Sequence, residues 1–246
     1  MARVTKKKGG KDAQAGALGP LPSQTNAELA QAIVRAGLSV VPAGGAVAEL
    51  LAFLQPTFGR RRDVWLQQLA NGFQELKDRL DAAEFEALRH NELFVTVVFN
   101  ATQAATRTHQ PEKLEALCAA VMNSALPMAP DEHTQLMFIR FVDELTALHL
   151  RVLSYLRDPA GWFVRHNIPR PDIYMGSRNA ILEAALPELR GQPEVYGQVN
   201  RELNARGLAL DPGGGMVSQQ ALYDLRTTAL GNRFLDFITA PSPQKE

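Results

Sequence analysis

The chain has 246 residues, 46% of them hydrophobic and 21% charged, which excludes a disordered class for most of its length and allows one large domain or a helical domain plus a small one. Its 26 basic and 26 acidic side chains cancel, yet Arg3, Lys6, Lys7, Lys8 and Lys11 all precede the first acid, Asp12, leaving 21 basic against 26 acidic residues elsewhere. A body of that sign lacks the concentrated positive footprint of a duplex-binding surface.

Residues 1–24 carry no hydrophobic period and are expected to form a basic tail without fixed structure. No apolar run precedes residue 28, so a secretory signal is not expected. The lone cysteine, Cys118, excludes an internal disulfide and points to a reducing compartment, hence a cytoplasmic location. Asn26 is placed to cap a helix carrying Leu29, Ile33 and Val34.

The least ordinary segment follows. Residues 36–54 hold a single charge, Glu49, and approach the length of a membrane span, but Pro42, Gly44 and Gly45 interrupt them. Two readings stay open: two short buried segments joined by a turn, or a membrane-associating hairpin or helix. A lipid-facing Glu49 is costly and favours the first. Glu49, Leu50, Phe53 and Phe58, with the Arg60-Arg61-Arg62 triplet, are the candidate interaction or membrane-contact residues.

Trp65, Leu69, Phe73, Leu76 and Leu80 recur at helical spacing and define a core-facing stripe. Three valines within residues 91–107 favour a strand locally, but the Ala/Thr-rich continuation restores a helix. Pro111 opens the next helix, with Leu114, Leu117, Cys118, Val121 and Met122 inside, and Cys118 reads as a small core residue. Asp131 and Glu132 start what the apolar pattern predicts as the longest helix, reaching Asp158-Pro159 and broad enough to sit at the centre of a bundle. Asp143 and His149 are its candidate structural polar contacts, Asp143 being placed to accept from Arg140 or from a neighbouring helix. A short amphipathic stretch with Trp162, Phe163 and Val164 precedes the Pro169/Pro171 boundary.

Beyond residue 175, Ser177 can cap a helix with Ile181 and Leu182, and Pro193 opens a second ending at Gly207. Short extended pieces then flank a turn at Gly213-Gly214-Gly215, and a last helix bears Leu230, Phe234, Leu235 and Ile238. The expected architecture is mainly α: a bundle-like helical domain over 25–168, a small winged-helix-like α+β module over 175–239, and a short C-terminus over 240–246.

The five histidines have no zinc-ligand spacing, one cysteine cannot complete such a set, and the triglycine lacks the lysine and hydroxyl of a phosphate loop. Neither catalytic residues nor a cofactor are expected. Residues 194–206, where a recognition helix would lie, carry zero net charge, which weighs against DNA binding.

The elements Phe94-Val-Thr-Val-Val-Phe-Asn-Ala-Thr-Gln-Ala-Ala, Lys113-Leu-Glu-Ala-Leu-Cys-Ala-Ala-Val-Met, Asp143-Glu-Leu-Thr-Ala-Leu-His-Leu and Thr228-Ala-Leu-Gly-Asn-Arg-Phe-Leu-Asp-Phe-Ile are similar to a set of uncharacterised bacterial helical proteins. They also loosely resemble the abortive-infection Abi-alpha-like family, over roughly residues 40–238. The resemblance implies a bacterial protein of phage-defence or stress context and brings no catalytic residue. The expectation is a non-enzymatic interaction protein with a protein partner or self-association. Peripheral contact with the inner membrane and DNA binding through the C-terminal module are the alternatives.

Overall fold

A computed structural model describes residues 60–210 and 215–240, the side chains of residues 60–62 excepted. The basic tail, the Asn26 helix and the segment bearing Glu49, Leu50, Phe53 and Phe58 lie outside the described residues.

Helix α1 (Arg60–Lys77) begins with the arginine triplet and buries Trp65, Leu69, Phe73 and Leu76, with Leu80 packed at the core margin beyond its end. Asp81 caps the short α2 (Ala82–Ala87) through a capping box with Glu84. Helix α3 (Glu92–Arg107) starts where the Asn91 side chain accepts the Phe94 N–H, at 3.0 Å. Its valines are helical because Val95, Val97 and Val98 are all buried, and tertiary burial outweighs local β preference.

Helix α4 (Pro111–Ser124) is the hub. Helices α1 and α3, together with α5 (Glu132–Glu144) and α10 (Ala229–Ile238), all lie against it. Small side chains explain this role: Ala116, Ala119 and Ala120 are buried and let neighbouring backbones approach from several sides.

The expected helix from residue 131 to 158 is instead two, α5 and α6 (Ala147–Arg157), and neither is the hub. Leu145 is extended (ψ 148°) and Thr146 begins the second helix, with the His149 side chain taking the place of the usual Glu or Gln in a capping box. A third short helix, α7 (Pro159–Arg165), follows Asp158, which accepts the Gly161 N–H; Trp162 and Phe163 are buried, but Val164 is 81% exposed.

The C-terminal module is winged-helix-like: β1 (Met175–Ser177), α8 (Arg178–Ala185), α9 (Pro193–Ala205) and β2 (Met216–Ser218). Ser177 caps α8 as expected, and α9 ends in a Schellman turn. There Gly207 takes φ +69°, its N–H bonds Asn204 O at 2.8 Å, and Leu208 N–H bonds Leu203 O at 2.9 Å. The expected hairpin between the two extended pieces does not form. β2 pairs antiparallel with β1, Gly176 opposite Val217, while Ala209 bridges Thr227. The partner of each piece is therefore remote in sequence, and of the triglycine only Gly215 is described. Buried residues of the module join those of the helical body in one core running from Trp65 to Ile238.

Candidate functional site: a groove between bundle and module

Five helices meet around an open groove of about 780 Å³. Its floor is apolar: Ala116 from α4, Leu150 from α6, Trp162 from α7, Leu186 after α8, and Leu235 and Ile238 from α10. The indole is fixed on two sides, since its Nε1 donates to Ala185 O at 3.1 Å and its face stacks on His166 with centroids 3.8 Å apart. Carboxylates occupy the rim. Glu112 and Glu115 stand exposed on the first turns of α4, and Glu188 is paired with Arg151 at 2.8 Å. With Arg151 engaged in this way, the two α4 carboxylates set the sign of the mouth.

A polar seam holds the module to the bundle beside α9, which packs on α6. His149 is 7% exposed; its Nδ1 lies 2.8 Å from Thr146 Oγ1 and accepts the Thr146 backbone N–H at 3.3 Å. That acceptor role puts the proton of the neutral ring on Nε2. Nε2 sits 3.1 Å from Glu202 Oε2, out of hydrogen-bonding alignment and an ion pair only when the ring is protonated. Burial lowers the His149 pKa, and the carboxylate of Glu202 only partly offsets this. Glu144 accepts from Arg140 at 2.6 Å and from Arg206, the C-cap of α9, at 3.3 Å, and the Arg140 bond is the main cause of its lowered pKa.

Hydroxyl, imidazole and carboxylate stand here in the order of an acyl-transfer triad. The Nδ1 lone pair, however, also takes the helix-capping N–H, and Thr146 lines neither the groove nor the small cavity between Tyr155 and Leu222. The chemistry on display is helix capping.

Asp143 accepts from Arg107 of α3, with Nη2 to Oδ2 at 2.5 Å, whereas Arg140 turns to Glu144. Lys113, 8% exposed, donates from Nζ to the Asp143 carbonyl at 2.8 Å, and burial lowers its pKa. Asp143 and His149 thus sit at the two ends of the α5–α6 break and do not touch the groove. Arg60, Arg61 and Arg62 form the first turn of α1. Cys118 is half-buried with Sγ 3.5 Å from Gln68 O, and burial pushes its thiol up to about 12.

Among the described residues no group of three His, Cys, Asp or Glu could hold a metal ion, and no helix is long and apolar enough to cross a membrane. On α9, Gln198 bonds Glu202 and Arg201 bonds Gln198, while the C-cap Arg206 is turned to α5, so much of the polar surface there is already engaged. Comparison of the chain with protein-family models, with curated proteins and with solved structures finds no match.

The groove was invisible in the sequence because its floor is assembled from helices up to about 120 residues apart. One local signal pointed to it: Trp162 in a short helix between two prolines, an aromatic with too little local structure to bury it.

Proposed function

We propose that this protein is a non-enzymatic interaction protein whose groove receives an apolar segment of a protein partner flanked by basic residues. One observation carries the reading: an open cleft floored by Trp162, Leu150, Leu235 and Ile238 has carboxylates, Glu112 and Glu115, at its mouth. Apolar anchors set in such a floor supply affinity, while the rim charge selects the partner and speeds encounter. The volume also falls within the range of small-molecule sites, but Arg151 and Glu188 of its lining are already paired with each other.

The resemblance to the Abi-alpha-like family supports a bacterial, phage-defence or stress setting, and the lone Cys118 supports a cytoplasmic one. A membrane-associating mode would depend on residues 38–58, outside the described residues, and DNA binding would have to use an α9 whose polar face is partly committed.

The test is a quantitative pull-down from host lysate with the full chain and the Glu112→Gln/Glu115→Gln variant. A partner should be retained at least about tenfold less by the variant, since two rim charges are lost. Equal capture of every protein by both forms would remove the groove from the function.

A further inference from the structure

On a surface that shares no residue with the groove, the β2 edge of the β1–β2 ribbon has no strand partner among the described residues. Gln219 N–H donates to Tyr174 O at 3.0 Å, and Gly176 faces Val217. In an antiparallel ladder the bonding direction alternates, so Val217 and Gln219 point their backbone groups at β1, and Met216 and Ser218 point theirs away from it. Natural edges are guarded by charges, by proline or by very short strands, and of these β2 has only its shortness. From Gly215 to Tyr223 no residue is charged and none is proline, and the same holds from Ile173 to Ser177. Apolar side chains stand outward on this ribbon: Tyr174 is 86% exposed, Met216 67% and Met175 59%.

We infer that this edge pairs with the same edge of a second copy of the chain, giving a two-fold sheet in the order β1–β2–β2–β1. The register is self-complementary. With Val217 on the two-fold axis, Met216 of each copy lies opposite Ser218 of the other, and these are the residues whose backbone groups face outward. An edge without charge presents nothing for a charged partner to read and nothing to repel its own copy, which favours the second copy as occupant. Met175 lies beside Ser218 in the β1–β2 register, so the outer face of the joined sheet alternates methionine with serine across all four strands. Strands of three residues form few ladder bonds, so the dimer is weak and forms only at high protein concentration.

Sedimentation of the full chain across a concentration series reads this directly. Wild type should pass from monomer to dimer, and Met216→Lys, which sets two cations across the axis, should raise Kd at least about tenfold. Met128→Lys, at a methionine 93% exposed elsewhere, is the control and should leave Kd unchanged. Val217→Cys should cross-link to its own copy on mild oxidation, whereas Ser177→Cys, on the far strand, should not. A monomer up to about 0.5 mM overturns the inference. So does a dimer that Met216→Lys leaves intact, or a Ser177→Cys cross-link that outruns Val217→Cys. A loss of self-association would leave the groove's capture of a partner untouched, and the reverse holds as well.

Discussion

Two glycines within helices should respond to alanine with opposite signs. Gly231 lies in the first turn of α10, its N–H bonded to Thr228 Oγ1 at 2.9 Å. A Cβ there would fall 2.0 Å from the Leu208 carbonyl oxygen, 3.0 Å from its carbon and 3.3 Å from its Cα. Ordinary carbon–oxygen contact needs roughly 3.2 Å, so helix or turn must retreat by about 1 Å in a close-packed interior. Leu208 cannot retreat freely, because its N–H closes the Schellman turn at 2.9 Å and its carbonyl accepts Thr228 N–H at 3.1 Å. Alanine's better helix propensity returns about 1 kcal/mol, against an overpacking cost at the upper end of the usual 1–3 kcal/mol or beyond it. Gly231→Ala should therefore lose about 2–3 kcal/mol. At Gly197 in α9 the nearest atom to an added Cβ, Nη1 of Arg201 one turn along the same helix, is 3.5 Å away, so Gly197→Ala should gain about 0.5–1 kcal/mol. Urea unfolding followed by circular dichroism measures both. A Gly231→Ala protein as stable as wild type, or two variants shifted alike, would refute the packing of α10 on the α9 turn.

His149 titrates below its unfolded value, so its contribution is complete above a pH of about 6.5 and declines as pH falls below that toward the folded pKa. His149→Gln keeps a capping-box acceptor without a proton to gain, so the stability advantage of wild type over this variant should shrink between pH 7.5 and 5.5, about one unit either side of that value, in urea titrations. Asn123 Nδ2 donates to the carbonyls of Phe237 and Thr239, both at 2.8 Å, and Asn123→Ala should cost about 1–2 kcal/mol and speed hydrogen exchange over residues 236–240. Cys118 should react with a disulfide reagent at pH 8 only after the fold opens, at least about a hundredfold slower than in denaturant. A double-mutant cycle on Arg107 and Asp143 should give only about 0.5 kcal/mol, since the side chains are 59% and 30% exposed.

The helical elements were legible wherever a periodic apolar face met a recognisable start: Pro111 for α4, Ser177 for α8, Pro193 for α9 and the α1 stripe from Trp65. The break at Leu145–Thr146 was not. Apolar periodicity continues through it, and the residue closing the capping box is a histidine where Glu or Gln would have signalled a helix start. The hub was misplaced for a related reason. A wide face of large residues suggested the centre, but closeness to several neighbours depends on the small side chains of Ala116, Ala119 and Ala120. Strand partners were hidden because β1 and β2 are separated by the whole helix pair between them, so sequence adjacency favoured a hairpin that the fold does not use. The groove, built from five helices, had no local counterpart beyond Trp162.

The clasp of α10 on α4 also bears on how the chain is made. Asn123 must wait for carbonyls more than 110 positions downstream, and the hub's face toward α10 stays uncovered until then. At a synthesis rate of about 5–20 residues per second that is a delay of several seconds or more, in which an alanine-rich apolar strip is open to chaperones or to other nascent chains. A chain interrupted before residue 229 would carry that strip permanently. Closure of α10 is therefore a late step in the making of this fold, and the one that takes the strip out of solvent.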